Sequence, residues 1–168
     1  AFLNFIIKEL KLRNIVELGN REGLSTVAIY DAIKKTGSDF YSIDIEKDQR
    51  YCPKHMFSDK QMHFIFGDVC SYEVINKLPR KIDFLFTDTI HFDFQVRDEW
   101  EIYQHLLSDV ALVAIDDINI NDKRNLFDSL PFEKWDLTNL CHFSGWGLFL
   151  FKRKTAITET DREKEIMS

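Results

Sequence analysis

Six acidic residues stand where apolar runs give way to turns: Glu17 in "VELGNREGLST", Asp44 in "YSIDIE", Asp68 in "FIFGDV", Asp88 in "FTDTIH", and Asp116 with Asp117 in "AIDDIN". If the runs are strands, these carboxylates gather at one end of a sheet. There an acid can accept hydrogen bonds from hydroxyls or face a cation, and it repels phosphate. Glu17, inside the turn, argues for a cationic or hydroxyl-bearing ligand. Asp44 can accept from both hydroxyls of a ribose, and Gly67-Asp68 can meet an adenine edge. Acids at the ends of the first three strands suit a nucleoside that carries positive charge.

Asp88, Asp116 and Asp117 form a second group if the fourth and fifth strands adjoin. Three carboxylates in one cleft repel one another, and a hard divalent cation would offset that. An all-oxygen shell selects Mg²⁺, Mn²⁺ or Ca²⁺ over zinc. Each acid also has a plainer reading. Glu17 could be a turn residue, Asp44 a helix N-cap, Asp68 the head of an Asx turn, and Asp117 an N-cap that leaves Asp116 alone in the cleft.

The frame for these groups follows from hydrophobic periodicity. Phe2, Leu3, Phe5, Ile6 and Leu10 give a short amphipathic helix, and Ile15 to Leu18 a buried strand ending at Gly19. Leu24, Val27, Ala28 and Ala32 mark one face of a helix that stops at Gly37. Further strands are expected at 40–44, 63–66, 82–86 and 110–115, with a helix from Phe94 to Leu107 before the last. Strands alternating with helices imply a doubly wound α/β domain with a mainly parallel, Rossmann-like sheet. Trp135 to Phe143, Ser144-Gly145 and Trp146 to Phe151 read as two strands around a tight turn, an antiparallel hairpin that makes the sheet seven-stranded. The domain is expected to span 1–154, with a polar tail over 155–168.

Within the opening turn, Gly19 permits a sharp reversal and close backbone approach, Gly23 a tight helix start, and Ser25 or Thr26 would hold the first free amides. The spacing is not the Gly-x-Gly-x-x-Gly of dinucleotide binders, because Arg21 occupies the second glycine position. A nicotinamide-dependent dehydrogenase is disfavoured on that ground, since Arg21 crowds and Glu17 repels a pyrophosphate.

Composition narrows the classes further. The length of 168 residues is that of one domain, and a formal charge of −6 with only short basic runs excludes a general affinity for nucleic acid. No window approaches the ~18 uncharged apolar residues of a membrane span. Cys52, Cys70 and Cys141 are odd in number and form no Cys-x-x-Cys pair, which fits a reducing, cytoplasmic setting. The chain begins with Ala inside an apolar pattern, so the natural start is expected upstream.

In these motifs the chain resembles the class I S-adenosylmethionine-dependent methyltransferases from Ile15 to Phe151. "VELGNREGLST" is similar to their first motif, "YSIDIE" to their ribose-binding acid, and "FIFGDV" to their adenine-side motif. "DTIHFDFQVRDEWEIYQHLL" followed by "IDDI" resembles the metal-dependent O-methyltransferases of the catechol O-methyltransferase type. It is closer still to the bacterial macrocin O-methyltransferase and cephalosporin hydroxylase-like branch. The chain departs from that branch in having Ser108-Asp109-Val110 in place of Pro-Gly-Gly before the fifth strand.

The resemblance implies an S-adenosylmethionine site at Glu17, Gly19, Gly23, Ser25, Asp44 and Asp68, and Mg²⁺ or another hard cation on Asp88, Asp116 and Asp117. It also implies a catalytic pair, Asp88 and His91, with His91 taking the proton of an acceptor hydroxyl. The implied acceptor is a small molecule such as a sugar or a polyketide-linked group. His91 could instead be a strand-end histidine bonded to Asp88 or Asp93, and Trp146 could be core or a wall of the acceptor pocket. A nucleoside-binding domain without activity is the alternative from a different class. The compact chain lacks an obvious lid, so an open site, one completed across a homo-oligomer interface, and one covered by segments outside this sequence all stay open.

Overall fold

The computed structural model describes residues 2–154. A short helix, α1 (Phe2–Leu10), precedes strand β1 (Asn14–Leu18). Then α2 (Leu24–Thr36), β2 (Asp39–Asp44), a 3-10 turn (Lys54–Ser58), β3 (Met62–Phe66) and α3 (Tyr72–Ile75) follow. The second half runs β4 (Ile82–Thr87), α4 (Asp93–Tyr103), β5 (Leu107–Asp116), α5 (Lys123–Ser129), β6 (Glu133–Asp136) and β7 (Trp146–Lys152). The tail expected over 155–168 lies outside the described residues.

All strands share one seven-stranded sheet in the order β3-β2-β1-β4-β5-β7-β6. β1 to β5 pair in parallel, and β7 runs antiparallel between β5 and β6. The order reverses between β1 and β4, which sets a crevice beyond the carboxyl ends of those strands, where such sheets bind ligands.

Alternation along each strand divides the apolar residues between two cores. Ile15, Phe40, Phe84 and Leu148 pack on one face with Ile7 of α1 and Ile29 and Ile33 of α2. Their neighbours Val16, Leu85, Val113 and Phe149 pack on the other with Val74, Val96, Tyr103 and Leu126 from α3, α4 and α5. Both faces are thereby covered, as a parallel sheet requires. No helix among the described residues is long and apolar enough to cross a membrane.

Two local expectations are corrected. α4 ends at Tyr103, and β5 begins at Leu107 instead of Val110. Leu106 turns back, its carbonyl accepting from Ile82 N and its amide donating to Tyr103 O, and the register with β4 shifts between Ile82 and Phe84. The hairpin is antiparallel as expected, but β6 stops at Asp136 and residues 137–145 form a loop. Asp136 Oδ1 accepts from Thr138 N at 3.0 Å, the Leu137 carbonyl accepts from Leu140 and Cys141, and Gly145 N donates to His142 O. This chain of local turns replaces the expected strand and brings His142 back over the sheet end.

Candidate active site at the switch point

The β1–α2 turn is held by the sheet before any ligand is considered. Gly19 has φ +81, and a Cβ there would lie 2.2 Å from the Asp88 carbonyl oxygen. The close approach expected of Gly19 is thus between two strand ends, β1 and β4. Gly23 has φ +93 and packs against Cys52 Sγ, which a Cβ would meet at 2.4 Å. It is Gly23 that stands at the N-cap of α2, with no side-chain cap. The expectation that Ser25 or Thr26 caps the helix is therefore corrected, and the first amides of α2 are left open at the crevice.

Asp44 accepts from three backbone amides: Asn20 N at 2.9 Å and Arg21 N at 2.6 Å on Oδ2, and Glu46 N at 2.8 Å on Oδ1. A carboxylate has about four acceptor positions, so one is left for a ligand. Arg21 takes a left-handed conformation, φ +44, at the place where a dinucleotide binder has glycine. Asp68 is exposed and accepts from Cys70 N at 2.8 Å, an Asx turn.

Glu17 does not face the crevice. It is fully buried, and its Oε2 accepts from Thr26 Oγ1 and Ser42 Oγ, each at 2.7 Å. Its Oε1 is buried without a partner. Burial pushes the carboxyl up to about 7, opposed by the Ser25, Thr26 and Ser42 hydroxyls. Glu17 was expected inside the turn; it lies within β1 instead and ties the turn, α2 and β2 together from beneath.

The second cluster gathers at the ends of β4 and β5, which are neighbours. Burial, followed by the nearby Asp116 carboxylate, pushes Asp88 up to about 8. Asp116 is also raised, by burial and by Asp117, while His142 opposes the shift. Asp117 has φ +55 and Asp122 φ +64, left-handed turns that bring Lys123 inward at the start of α5. Lys123 is fully buried and donates from Nζ to the Asp116 carbonyl at 2.5 Å. Burial lowers its pKa, while Asp88, Asp117, Asp116 and Glu99 oppose that change.

Glu99 of α4 fixes the exit of β4. It accepts from Thr87 Oγ1 at 2.5 Å, Thr89 Oγ1 at 2.6 Å and Gln95 Nε2 at 2.9 Å.

Two imidazoles complete the cluster. His91 Nδ1 lies 3.1 Å from Asp117 Oδ2 yet makes no well-directed hydrogen bond, although it is buried. His142 Nε2 lies 2.8 Å from Asp116 Oδ1, and its Nδ1 2.7 Å from Ser144 Oγ. Candidate metal donors come within 4.8 Å of one another in two sets, Asp88–His91–Asp117 and Asp116–Asp117–His142. Each set includes an imidazole, where an all-oxygen shell was expected. A divalent cation was expected to offset the acids; the Lys123 ammonium lies among them and offsets part of their repulsion.

A cavity of about 700 Å³ opens over this floor, within the range of roughly 300–1,000 Å³ usual for ligand sites. The turn contributes Asn20, Arg21, Glu22 and Ser25, and the floor Asp88, Asp116 and His142. Trp146, one of the alternatives for an acceptor wall, lines it too. Sequence reasoning missed Lys123 and His142. Their signals were a lysine directly after "IND" and a histidine just before "FSGWG".

A family model for methyltransferase domains matches residues 16–118, from within β1 to just past Asp116-Asp117. No curated protein matches the chain in sequence. In fold it is similar to the SAH-bound methyltransferase PaMTH1 of Podospora anserina, at 16% identity and a TM-score of 0.68, over 92% of this chain and 77% of that one. A Staphylococcus aureus protein assigned as a caffeoyl-CoA O-methyltransferase is similar at 16% identity and a TM-score of 0.71, over 89% and 81% of the two chains. The 1,6-didemethyltoxoflavin-N1-methyltransferase of Burkholderia thailandensis, with bound 1,6-didemethyltoxoflavin and S-adenosylhomocysteine, is similar at 9% identity and a TM-score of 0.61, over 91% and 76%.

Proposed function

The chain belongs to the methyltransferase-domain family, and from that premise we propose that it transfers a methyl group from S-adenosylmethionine to a hydroxyl of a small molecule. The fold alone does not choose the acceptor atom, since its neighbours include proteins named for oxygen and for N1 methylation. The choice of oxygen rests on one observation: Asp88, Asp116 and His142 line the same cavity as the turn Asn20 to Ser25.

Several features of the turn suit the cofactor. The first amides of α2 are uncapped, so they and the helix dipole favour a carboxylate there. Asp44 has an acceptor position left for a ribose hydroxyl, Asp68 is exposed on the adenine side, and Ser25 lines the cavity. Gly19 and Gly23 hold the turn's shape, and the buried carboxyl of Glu17 supplies negative potential beneath it once ionised, above about pH 7. When bound, S-adenosylmethionine supplies an electrophilic methyl on a sulfonium centre.

The residues of the second cluster then have separate roles. His91 or His142 accepts the hydroxyl proton, and Asp117 and Asp116 orient the two rings. Lys123 and Glu99 hold the charged floor in place. Asp88 and Asp117, with the buried and undirected Nδ1 of His91, form a donor set suited to a divalent cation, and Asp116, Asp117 and His142 form a second. Such an ion would lower the pKa of an acceptor hydroxyl.

Calorimetric titration with S-adenosylhomocysteine tests the reading, with and without Mg²⁺ or Mn²⁺, on the wild type, Asp44→Asn and Asp88→Ala. Expected are wild-type binding that Asp44→Asn weakens, and a separate metal heat lost in Asp88→Ala. Binding of S-adenosylhomocysteine without any metal heat would remove the metal from the mechanism. No binding at millimolar ligand would leave a domain of this fold without the activity.

A further inference from the structure

The two edges of the sheet are unlike. β6, at one edge, is 4 residues long, and all but Trp135 are charged: Glu133, Lys134 and Asp136. Shortness and charge are the usual means by which an edge strand is kept from pairing with another chain. β3, at the other edge, reads Met62-His63-Phe64-Ile65-Phe66 and holds no acid, lysine, arginine or proline. Nothing in its sequence blunts it.

Its free backbone groups follow from the ladder with β2. Phe40 N donates to Gln61 O and Gly67 N donates to Asp44 O, so Gln61, His63, Ile65 and Gly67 turn their peptide groups to β2. The amides and carbonyls of Phe64 and Phe66 therefore point out of the sheet. A groove of about 440 Å³ follows this edge. On one face of it Phe64 stacks on Phe57 of the 3-10 turn, 4.5 Å between ring centroids. On the other, His63 stacks on Tyr41 at 4.4 Å.

A second copy of the chain, turned about a two-fold axis at Phe64, complements this edge. In that antiparallel pairing Phe64 exchanges both of its hydrogen bonds with its own copy. Each Phe66 amide reaches a Met62 carbonyl, the Met62 amide being already given to Asp59 O. The stack of Phe57 on Phe64 then runs on into the same stack of the second copy, an aromatic cross-strand pair. The charges agree as well. Lys60 is exposed just before β3 and Asp68 is exposed just after it, so antiparallel copies bring each Lys60 to the other's Asp68, whereas parallel copies would set like charges together.

We propose that two copies of this chain associate through β3, antiparallel about Phe64, so that one sheet runs through both. The inference stands apart from the methyltransferase reading.

Sedimentation equilibrium of the full chain, over about 1 to 200 μM, tests it on the wild type, Phe64→Lys, Lys60→Glu, and Lys60→Glu combined with Asp68→Lys. The wild type is expected to be a dimer. Phe64→Lys, which sets two ammonium groups against each other at the axis, should be a folded monomer by circular dichroism. Lys60→Glu should weaken the dimer about tenfold, and adding Asp68→Lys should restore it.

A wild type that stays monomeric throughout would overturn the proposal, as would an assembly larger than a dimer. Phe64→Lys as dimeric as the wild type would place the contact on another face. Lys60→Glu without effect, or not rescued by Asp68→Lys, would rule out the antiparallel register. If Phe64→Lys does not fold, the Lys60 variants decide alone, since that side chain is exposed and outside the core.

Discussion

His142 spans the cleft from its own loop to the end of β5: its Nε2 lies 2.8 Å from Asp116 Oδ1 and its Nδ1 2.7 Å from Ser144 Oγ. An imidazole held at both nitrogens is fixed in orientation, and this one lines the cavity directly. His91, the histidine expected to act as base, is tied on only one side, to Asp117. With Nε2 on Asp116 and Nδ1 on Ser144, the acceptor's proton reaches His142 by relay, the Ser144 hydroxyl passing its own proton to Nδ1 as it takes the acceptor's. His142→Gln is then expected to slow methyl transfer about 100-fold, the lower end of what a general base contributes, with S-adenosylhomocysteine affinity unchanged. Single-turnover rates of this variant and of His91→Gln, side by side, identify the proton acceptor by the larger loss. An unchanged rate in His142→Gln would remove that residue from the chemistry.

Gly19 and Asp88 show how the cofactor turn depends on the neighbouring strand. Alanine at 19 meets two obstacles, a φ of +81 and a Cβ 2.2 Å from the Asp88 carbonyl oxygen, and the second yields only if β1 and β4 part. Gly37 shares the left-handed backbone, φ +70, but its nearest neighbour is a flexible side chain at 3.9 Å. Gly19→Ala should therefore cost more than about 3 kcal/mol and Gly37→Ala about 1 kcal/mol, measured as urea midpoints. Equal costs would show that backbone conformation alone matters at Gly19.

The contrast between these glycines parallels what the sequence could and could not convey. Strand positions were readable because residues such as Ile15 and Val16, or Phe84 and Leu85, are apolar on both faces of a covered sheet. The 137–145 loop was not, because "LTNLCHF" mixes apolar and polar residues as an edge strand does. Its local turns, and its exposures of 77% at Leu140 and 92% at Phe143, reveal a loop. The acids at the strand ends could be placed from spacing alone. Their partners could not: Asp44 turned out to bind amides of a segment more than 20 residues away, a tertiary fact.

Lys123 was unreadable for a related reason. A lysine in "INDKRN" reads as solvated, and it is the left-handed Asn121 and Asp122, φ +47 and +64, that carry it under the acids. With Lys123→Met the acids that remain ionised around it, among them Asp117 and Asp116, lose their buried counter-charge, and breaking one side of such an arrangement costs about 3 to 5 kcal/mol. Chemical denaturation at neutral pH should show a loss of that order. A loss below about 1 kcal/mol would mean that bound protons or an ion already remove the charge of the acids.

Glu17 gives a pH dependence of definite sign. Its carboxyl is pushed from 4.5 to about 7 by burial, so on raising the pH the unfolded chain releases this proton before the folded one does. The stability that Glu17 contributes is full below about 4.5 and is lost as pH rises through about 7. The gap between the two values corresponds to about 3 kcal/mol at most. Glutamine keeps an oxygen to accept from Thr26 and Ser42 but cannot ionise. Glu17→Gln should match the wild type at pH 4 and exceed its unfolding free energy by up to about 3 kcal/mol at pH 8. A sulfonium or ammonium above the turn would lower the cost of ionising Glu17. S-adenosylmethionine should therefore raise the melting temperature of the wild type at pH 8 more than that of Glu17→Gln. Equal shifts in the two proteins would assign Glu17 to the fold and remove it from cofactor binding.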